Sequence, residues 1–448
     1  MKYTTLWQRK DTMRFFLASV IGKLAAMVGR PFGRSTNLPG ELALKICPDL
    51  FSHFRFTGKI LAVTGSNGKT TTANMIASML SSQGKRVVNN AKGSNLAGGV
   101  ATTLLCAAKR GVVSAEYVVL EVDERYSVLI FRYFAPDVML VTNLFRDQLT
   151  RNGNVDVIVD KLTTAIAPSV TLVLNANDPI SSALCPENQR VYYELERTPL
   201  SSDQSRNITH DAKVCPVCLH PMEYEYYHYN HIGKFHCPHC GRQTPEARYI
   251  ASELNPNTGD FDINGQKTHT DYICLSNLLN CTSAVAACCT AGLSLQQALE
   301  GLSGVRVNQN RYDTFTVLDR PALMILSKNQ NPVSYDQSID FVAQKEGEKT
   351  VVCYVNNINH TNHKDTTWLY DVSFERLNTP EITVVCTGPR AYDLAVRLEL
   401  GGFDPGRVLL EPEVTALRPL VEQKTKGAIC VLTEIYDAGR ILAALKGE

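Results

Sequence analysis

Neither sign of charge dominates this chain. Across 448 residues, 45 Lys and Arg stand against 44 Asp and Glu, for a net charge of +1. That balance steers the protein toward no polyanion, so no nucleic-acid partner is expected. No internal repeat is visible, and no secretory signal opens the sequence. The 14 cysteines are therefore expected in a reducing cytosol, with Cys47, Cys106, Cys281, Cys288 and Cys289 as buried thiols. No unbroken transmembrane run is evident, because Arg14 and Lys23 interrupt the apolar stretch 13–29. Phe16, Val20, Leu24 and Met27 recur there at helical spacing, which predicts an amphipathic helix packed on the body. Arg14, Lys23 and Arg30 would also suit peripheral contact with anionic lipid at the inner membrane surface.

What is present is enough for two or three domains. Residues 1–55 read as an N-terminal helical arm with a Gly/Pro-rich turn at Asn37-Leu38-Pro39-Gly40 and a short helix after it. From residue 58, apolar runs at 59–63, 117–122, 137–142 and 170–174 alternate with stretches of helical length. That alternation predicts an α/β domain with a parallel sheet covered on both faces, spanning 56–315. Helical periodicity returns at 275–303. A second α/β pattern, with strands near 322–326, 350–355, 382–386 and 428–432, marks a C-terminal domain at 316–448.

The strongest local signal is Gly65-Ser66-Asn67-Gly68-Lys69-Thr70-Thr71. It follows the apolar strand Ile60–Val63 and precedes a helix-like stretch, which is the context a phosphate-binding loop requires. Glycines let backbone N–H groups close around phosphate oxygens, and the helix N-terminus adds partial positive charge. Lys69 would reach the outer phosphates, and Thr70 would hold Mg²⁺. Glu121, at the C-terminal end of the strand Tyr117–Val119, is the first choice for a second Mg²⁺ ligand, with Asp123 and Glu124 as competitors. Three further stations follow strands or lie near them. They are Ala91–Gly99, the run Thr142-Asn143-Leu144-Phe145-Arg146-Asp147-Gln148, and Asn175-Ala176-Asn177-Asp178. Asn175 and Asp178 would hold adenine or ribose, although Asn-Asp-Pro is also an ordinary turn.

Between about 210 and 245 the pattern changes. Cys215-x-x-Cys218 and Cys237-x-x-Cys240 form two knuckles separated by a Tyr-rich loop. Two thiolate pairs at this spacing match a tetrahedral zinc ribbon, structural because all four positions are cysteine. His220, His231, His236 and His239 read as surface residues or outer partners of that site.

Together these segments resemble the central ATPase domain of the Mur ligases. The four-cysteine insertion, Thr-Asn-Leu-Phe-Arg-Asp-Gln at 142–148, and Asp365–Asp371 narrow the resemblance to the MurT family, synthetase subunits of lipid II isoglutaminyl synthase. The resemblance implies a Mur ligase-like P-loop ATPase domain with an inserted four-cysteine zinc ribbon and a C-terminal Rossmann-like domain. It implies an ATP-dependent carbon–nitrogen ligase that phosphorylates the α-carboxylate of D-glutamate in the peptidoglycan stem of lipid II. Ammonia from a GatD-like glutaminase partner then gives D-isoglutamine. It also implies that Asp365, with Asp371 second, completes the partner's triad, and that Arg311 touches nucleotide or substrate phosphate. An interdomain salt bridge is an equal reading of Arg311. Two stretches depart from the family pattern. Thr150-Arg151-Asn152 follows the Arg-Asp-Gln-Leu run. Lys328-Asn329-Gln330-Asn331-Pro332-Val333-Ser334 stands where Lys-Asn-Pro-x-Gly is usual, so either Lys328 shifts register or Gln330 replaces the lysine. A stand-alone amide ligase of the folylpolyglutamate or cyanophycin type, or a nucleotide-binding scaffold without turnover, are the alternatives.

Overall fold

Small residues dictate how the N-terminal arm is held. In the computed structural model, helix α1 (Lys2–Gly29) lies against α2 (Leu38–Ile46). The structure describes all residues except 1, 30–35, 91–93, 148–153, 306–311, 329, 357–364 and 435–436, with side chains outside 2–11 and 312. Ala18, Gly22 and Ala26 recur every fourth residue and are buried. A Cβ on Gly22 would meet Leu105 at 2.8 Å, so the helix sits close. The expected face is therefore reversed. Phe16, Val20, Leu24 and Met27 point away from the body and are exposed, because the small face permits the closer approach. Lys23 donates to the Ala108 carbonyl at 2.6 Å, and Arg30 lies outside the described residues. Pro39 and Gly40 belong to the first turn of α2, where proline is tolerated.

The ATPase domain is built on β1 (Lys59–Thr64), β2 (Val87–Asn89), β3 (Tyr117–Glu121), β4 (Val138–Val141), β5 (Thr171–Asn175) and β6 (Arg190–Leu195). A hairpin, β7 (Glu223–Tyr229) and β8 (Ile232–His236), carries the cysteine knuckles. Three further strands, β9 (Tyr249–Ser252), β10 (Asp260–Ile263) and β11 (Gln266–His269), extend the main sheet. Its order is β11-β10-β9-β6-β5-β4-β1-β3-β2, parallel from β9 to β2 and antiparallel at the β10–β11 edge. Fully buried β-branched and leucine-rich runs such as Ile60–Val63 and Val138–Val141 suit a sheet covered on both faces. Helix α3 (Lys69–Ser82) and the later α5 (Leu275–Thr290) and α6 (Leu295–Ser303) seal one face. Helix α4 (Ala97–Ala107) and the N-terminal arm contribute to the other. Ser294 and Gln297 form a reciprocal capping box that splits the expected 275–303 helix in two.

The C-terminal domain has the strand order β12-β13-β17-β14-β15-β16. These are Tyr312–Val317, Arg320–Ser327, Ala428–Glu434, Lys349–Tyr354, Ile382–Thr387 and Val408–Glu411, in that spatial order. Because Tyr312–Val317 pairs with Arg320–Ser327, the domain begins by residue 312 and not at 316. Of the five cysteines expected to be buried, Cys106 is exposed and Cys289 is half-buried.

Candidate active site

The chain order reverses around β1: the path goes out to the edge strand β2, returns to β3 beside β1, and then crosses to β4 on the other side. Open parallel sheets place ligands at such a point, beyond the strand C-termini. The loop after β1 is tied down on that rim. Asn143 Oδ1 accepts from Asn67 N at 2.9 Å, Thr142 Oγ1 donates to Asn67 O at 2.7 Å, and Ser66 Oγ accepts from Phe145 N at 2.8 Å. Gly65 and Gly68 both have positive φ, of 124° and 84°. A Cβ on Gly65 would overlap Thr142 Oγ1, and one on Gly68 would overlap Asn280 Oδ1. Both glycines are thus required by conformation and by space.

Lys69 opens α3 and is buried. Its ammonium pairs with Glu124 Oε1 at 2.9 Å and bonds the Gly65 carbonyl. Burial alone would lower its pKa, but Glu124, Asp123 and Asp147 outweigh that and hold it above its ordinary value. Burial pushes the Glu124 carboxyl up, while Lys69 pulls it back. Thr70 Oγ1 donates to Glu121 Oε1 at 2.9 Å, and Asn95 Nδ2 reaches the same oxygen at 3.0 Å. Asn90 clamps the Glu121 backbone with two 2.8 Å bonds. Thr70 and Glu121 therefore stand together as oxygen donors suited to Mg²⁺. A cleft of about 70 Å³ opens beside the loop, lined by Asn67, Gly68, Thr71, Asn143, Tyr272 and Asn280 among others, with Ser334 and Ser338 from the C-terminal domain.

The C-terminal domain reaches into this rim. Lys328 Nζ donates to the Ser66 carbonyl at 2.9 Å and pairs with Asp147. Asn331 Nδ2 bonds Asp147 at 2.9 Å, and Asn67 Nδ2 bonds Asn331 Oδ1 at 3.3 Å. Asn331 also caps the helix Pro332–Ala343. Lys328 is therefore the lysine that meets the phosphate loop, and the register shifts. Gln330 is buried at φ 49° with its Nε2 unpartnered. Sequence reading gave no individual role to Asn143, Asp147, Asn280 or Asn331. The available signal for Asn280 was its spacing of three from Asn277 on one helix face.

Asn175 and Asp178, read as adenine or ribose contacts, are held inside the fold. Strand β5 is separated from β1 by β4, and both side chains are fully buried. Asp178 accepts from Leu144 N at 2.9 Å and Ile180 N at 2.8 Å, and pairs with His231 Nε2 at 3.2 Å. Burial works against its charge, but His231 and the Ile180 N–H hold its pKa below the ordinary value. Asn175 Oδ1 accepts from Asn177 N. These residues brace the Asn143 loop from behind. His231 is correspondingly a buried strut, not a surface residue. Gly98 and Gly99 belong to α4, where Gly40 packs directly on the Gly98 carbonyl, so they serve packing and not substrate. Ala91–Gly93 and Arg311 lie outside the described residues, as do Thr150, Arg151 and Asn152.

Asp365 is half-buried, and its Oδ1 accepts from Thr367 N at 2.9 Å. Asp371 instead faces Arg146 NH1 at 3.7 Å, while Arg146 Nε holds Asp211 at 2.9 Å. Burial pushes the Asp371 carboxyl up, and Arg146 opposes it. Arg146 thus joins the nucleotide rim, the segment leading into the ribbon, and the C-terminal domain.

The four knuckle sulfurs converge, with Cys215–Cys240 at 3.7 Å and Cys218–Cys237 at 3.5 Å. A tetrahedron of Zn–S bonds of about 2.3 Å has edges near 3.8 Å, so the donor set fits zinc with no open position. The knuckles are built alike: Leu219 and Gly241 both take positive φ and donate N–H to the Cys215 and Cys237 carbonyls. His220 and His239 stack 3.4 Å apart beside them, and His236 pairs with Glu223. Purified protein is expected to carry about one zinc per chain by atomic absorption, four thiolates holding one ion. Cys237→Ser should lose the metal and open residues 213–244 to protease while the main sheet stays folded. Zinc-free native protein with an intact ribbon would refute the assignment.

Residues 63–237 match the family described as Mur ligase middle domain, and residues 326–436 match MurT ligase C-terminal. The subunit MurT of lipid II isoglutaminyl synthase (glutamine-hydrolyzing) from Staphylococcus aureus strain COL is 30% identical over 443 residues, 92% of this chain and 98% of the relative. Its counterpart from Streptococcus pneumoniae is 29% identical over 400 residues, 88% of each chain. Among solved structures, a pseudomurein peptide ligase type C from Methanothermus fervidus has a TM-score of 0.67 at 18% identity, covering 89% of this chain and 81% of its own. MurF from Thermotoga maritima, in complex with ADP, has a TM-score of 0.59 at 16% identity, covering 92% and 84%. At those identities the likeness is one of fold.

Proposed function

The chain belongs to the MurT family, and from that membership we propose that it is the synthetase subunit of a glutamine-using amidating complex. It is an ATP-dependent ligase that amidates the D-glutamate α-carboxylate of the lipid II stem. The observation that carries this reading is the near full-length similarity to a glutamine-hydrolysing MurT subunit. The phosphate loop supplies chemistry that fits it.

A carboxylate is a poor electrophile. Transfer of the γ-phosphoryl group to one carboxylate oxygen breaks the bond to ADP and creates an acyl phosphate. Ammonia then attacks the acyl carbon, inorganic phosphate leaves, and the nitrogen gives up a proton. The protein's task is to hold two anions against each other. Lys69 supplies a fixed buried charge. Lys328, brought by the C-terminal domain, adds a second once it leaves Asp147 for phosphate. Thr70 and Glu121 would hold Mg²⁺, which would supply further neutralisation when bound. The N–H groups around Gly68 and Lys69 face the same rim. A GatD-like glutaminase would deliver the ammonia, with Asp365 lent to its triad.

The test is a mass-spectrometric assay with ATP, Mg²⁺, free ammonium and lipid II carrying D-glutamate. ATP-dependent conversion of carboxylate to amide, without any partner, is the expected result. ATP hydrolysis that appears only when an amino acid is added, with no amidation, would instead favour the stand-alone ligase.

A further inference from the structure

Among the described residues, nothing packs on the outward face of α1, although a dense run of exposed large hydrophobic side chains lies there. Met13, Phe16, Leu17, Val20, Leu24, Met27 and Val28 are all exposed, Phe16 by 68% and Met27 by 60%. At 100° per residue these seven fall within one arc of about 120°. The buried Ala18, Gly22 and Ala26 lie on the opposite side. Only 17% of the stretch Thr12–Gly29 is buried. A helix held lengthwise by α2 and α4 cannot also cross a bilayer, so its free face presents itself sideways.

Charge selects among the occupants of such a face. Residues 2–29 contain Lys2, Arg9, Lys10, Arg14 and Lys23 against Asp11 alone. On the helical wheel Arg14 and Lys23 fall on either flank of the apolar arc; exposed Arg14 reaches headgroup level, while the Lys23 ammonium is tied to the Ala108 carbonyl. The neighbouring turn adds exposed Lys109 and Arg110. A protein partner's apolar groove would not call for cations on both flanks, whereas an anionic bilayer does.

We propose that α1 is an interfacial helix that lays this apolar face into an anionic lipid surface. The helix thereby brings the phosphate loop to a substrate embedded in the same membrane. The second clause rests on the lipid II reading above; the first does not.

The test is co-sedimentation of the full chain, with its partner subunit where one is co-purified. Two vesicle types are used: phosphatidylglycerol with phosphatidylcholine in equal parts, and phosphatidylcholine alone. The protein is expected to pellet with the anionic vesicles and much less with the neutral ones. F16E/L24E should weaken binding by at least about tenfold, since each charge must leave water. Both residues are exposed, so zinc content and thermal unfolding should not change; V20Q/M27Q serves as a milder second pair. Wild-type protein left in the supernatant with both vesicle types would overturn the proposal. Equal pelleting of the variants would also overturn it. So would a vesicle-free dimer that F16E/L24E converts to monomer while lipid binding stays absent, because the face would then be covered by a second copy. If amidation proves wrong but anionic vesicles still capture the protein, only the substrate clause falls. If both hold, the variants should lose rate on vesicle-embedded lipid II and keep it on a water-soluble stem peptide.

Discussion

Lys69→Ala is expected to abolish ATP turnover, with a loss of at least about a hundredfold, the scale seen when one preorganised charge donor is removed. The argument is geometric. Lys69 is buried, its ammonium lies 2.9 Å from Glu124, and it contacts the Gly65 carbonyl of the phosphate loop. A γ-phosphate entering the loop competes with Glu124 for that ammonium, so the charge is present before substrate arrives. The variant leaves Glu124 buried beside Asp123, with the more distant Lys328 as the cation still acting on it. An uncompensated buried carboxylate costs about 3–5 kcal/mol, and Glu124 is expected to take up a proton to avoid it. The fold and the zinc content should survive, since the main sheet and the ribbon do not depend on Lys69. Lys69→Arg should fold equally well and still fail, because a forked guanidinium does not fit between Gly65 and Glu124. ATP turnover within about tenfold of wild type in the alanine variant, well short of the loss expected for removing such a donor, would sink the phosphate-loop assignment.

The second large effect is expected at Asp365, and it should be selective. Asp365→Asn should reduce glutamine-dependent amidation by about a hundredfold or more, because an acid that orients a catalytic histidine is worth up to about 10⁴. Amidation driven by free ammonium should stay near wild type. The asparagine retains the Oδ1 that accepts from Thr367 N, so the local turn persists and only the charge is lost. Asp371→Asn provides the contrast. It breaks the Arg146 contact at 3.7 Å that links the C-terminal domain to the nucleotide rim, and both nitrogen sources should then suffer alike. Equal losses with glutamine and ammonium in Asp365→Asn would remove Asp365 from the triad; the selective pattern appearing in Asp371→Asn would move the role there.

Much of the site was legible because its pieces are contiguous. The phosphate loop, the strand before it and the helix after it form one local unit, and the glycines mark where the backbone must turn left-handed. Thr70 and Glu121 followed from the same logic, since Glu121 ends a strand of the parallel sheet and Thr70 lies in the first turn of α3, so both arrive at the C-terminal rim. The knuckles were readable because thiolate spacing is itself the geometry. The surroundings of Asn175 and Asp178 were not legible in the same way. Both residues also end a parallel strand, but strand order is not written in the sequence. With β4 interposed between β5 and β1, the Asp178 carboxylate meets Leu144 N and His231 from the ribbon hairpin.

The sequence by itself determined the local constellations: a glycine loop between strand and helix, the Thr70 and Glu121 oxygens, four converging thiols, and two α/β units in succession. Each is a property of backbone conformation or of residue spacing over a few positions. The tertiary structure alone decided which distant groups share a rim. Lys328 and Asn331 meet Ser66, Asn67 and Asp147 across more than 180 residues of chain, and no periodicity encodes a pairing of that kind. It also decided the orientation of α1. Both of its faces are apolar, so hydrophobic spacing could not choose between them. Close packing chose the small residues Ala18, Gly22 and Ala26 for the body, since they let the helix approach Leu105 and Ala43. The large side chains were left facing outward.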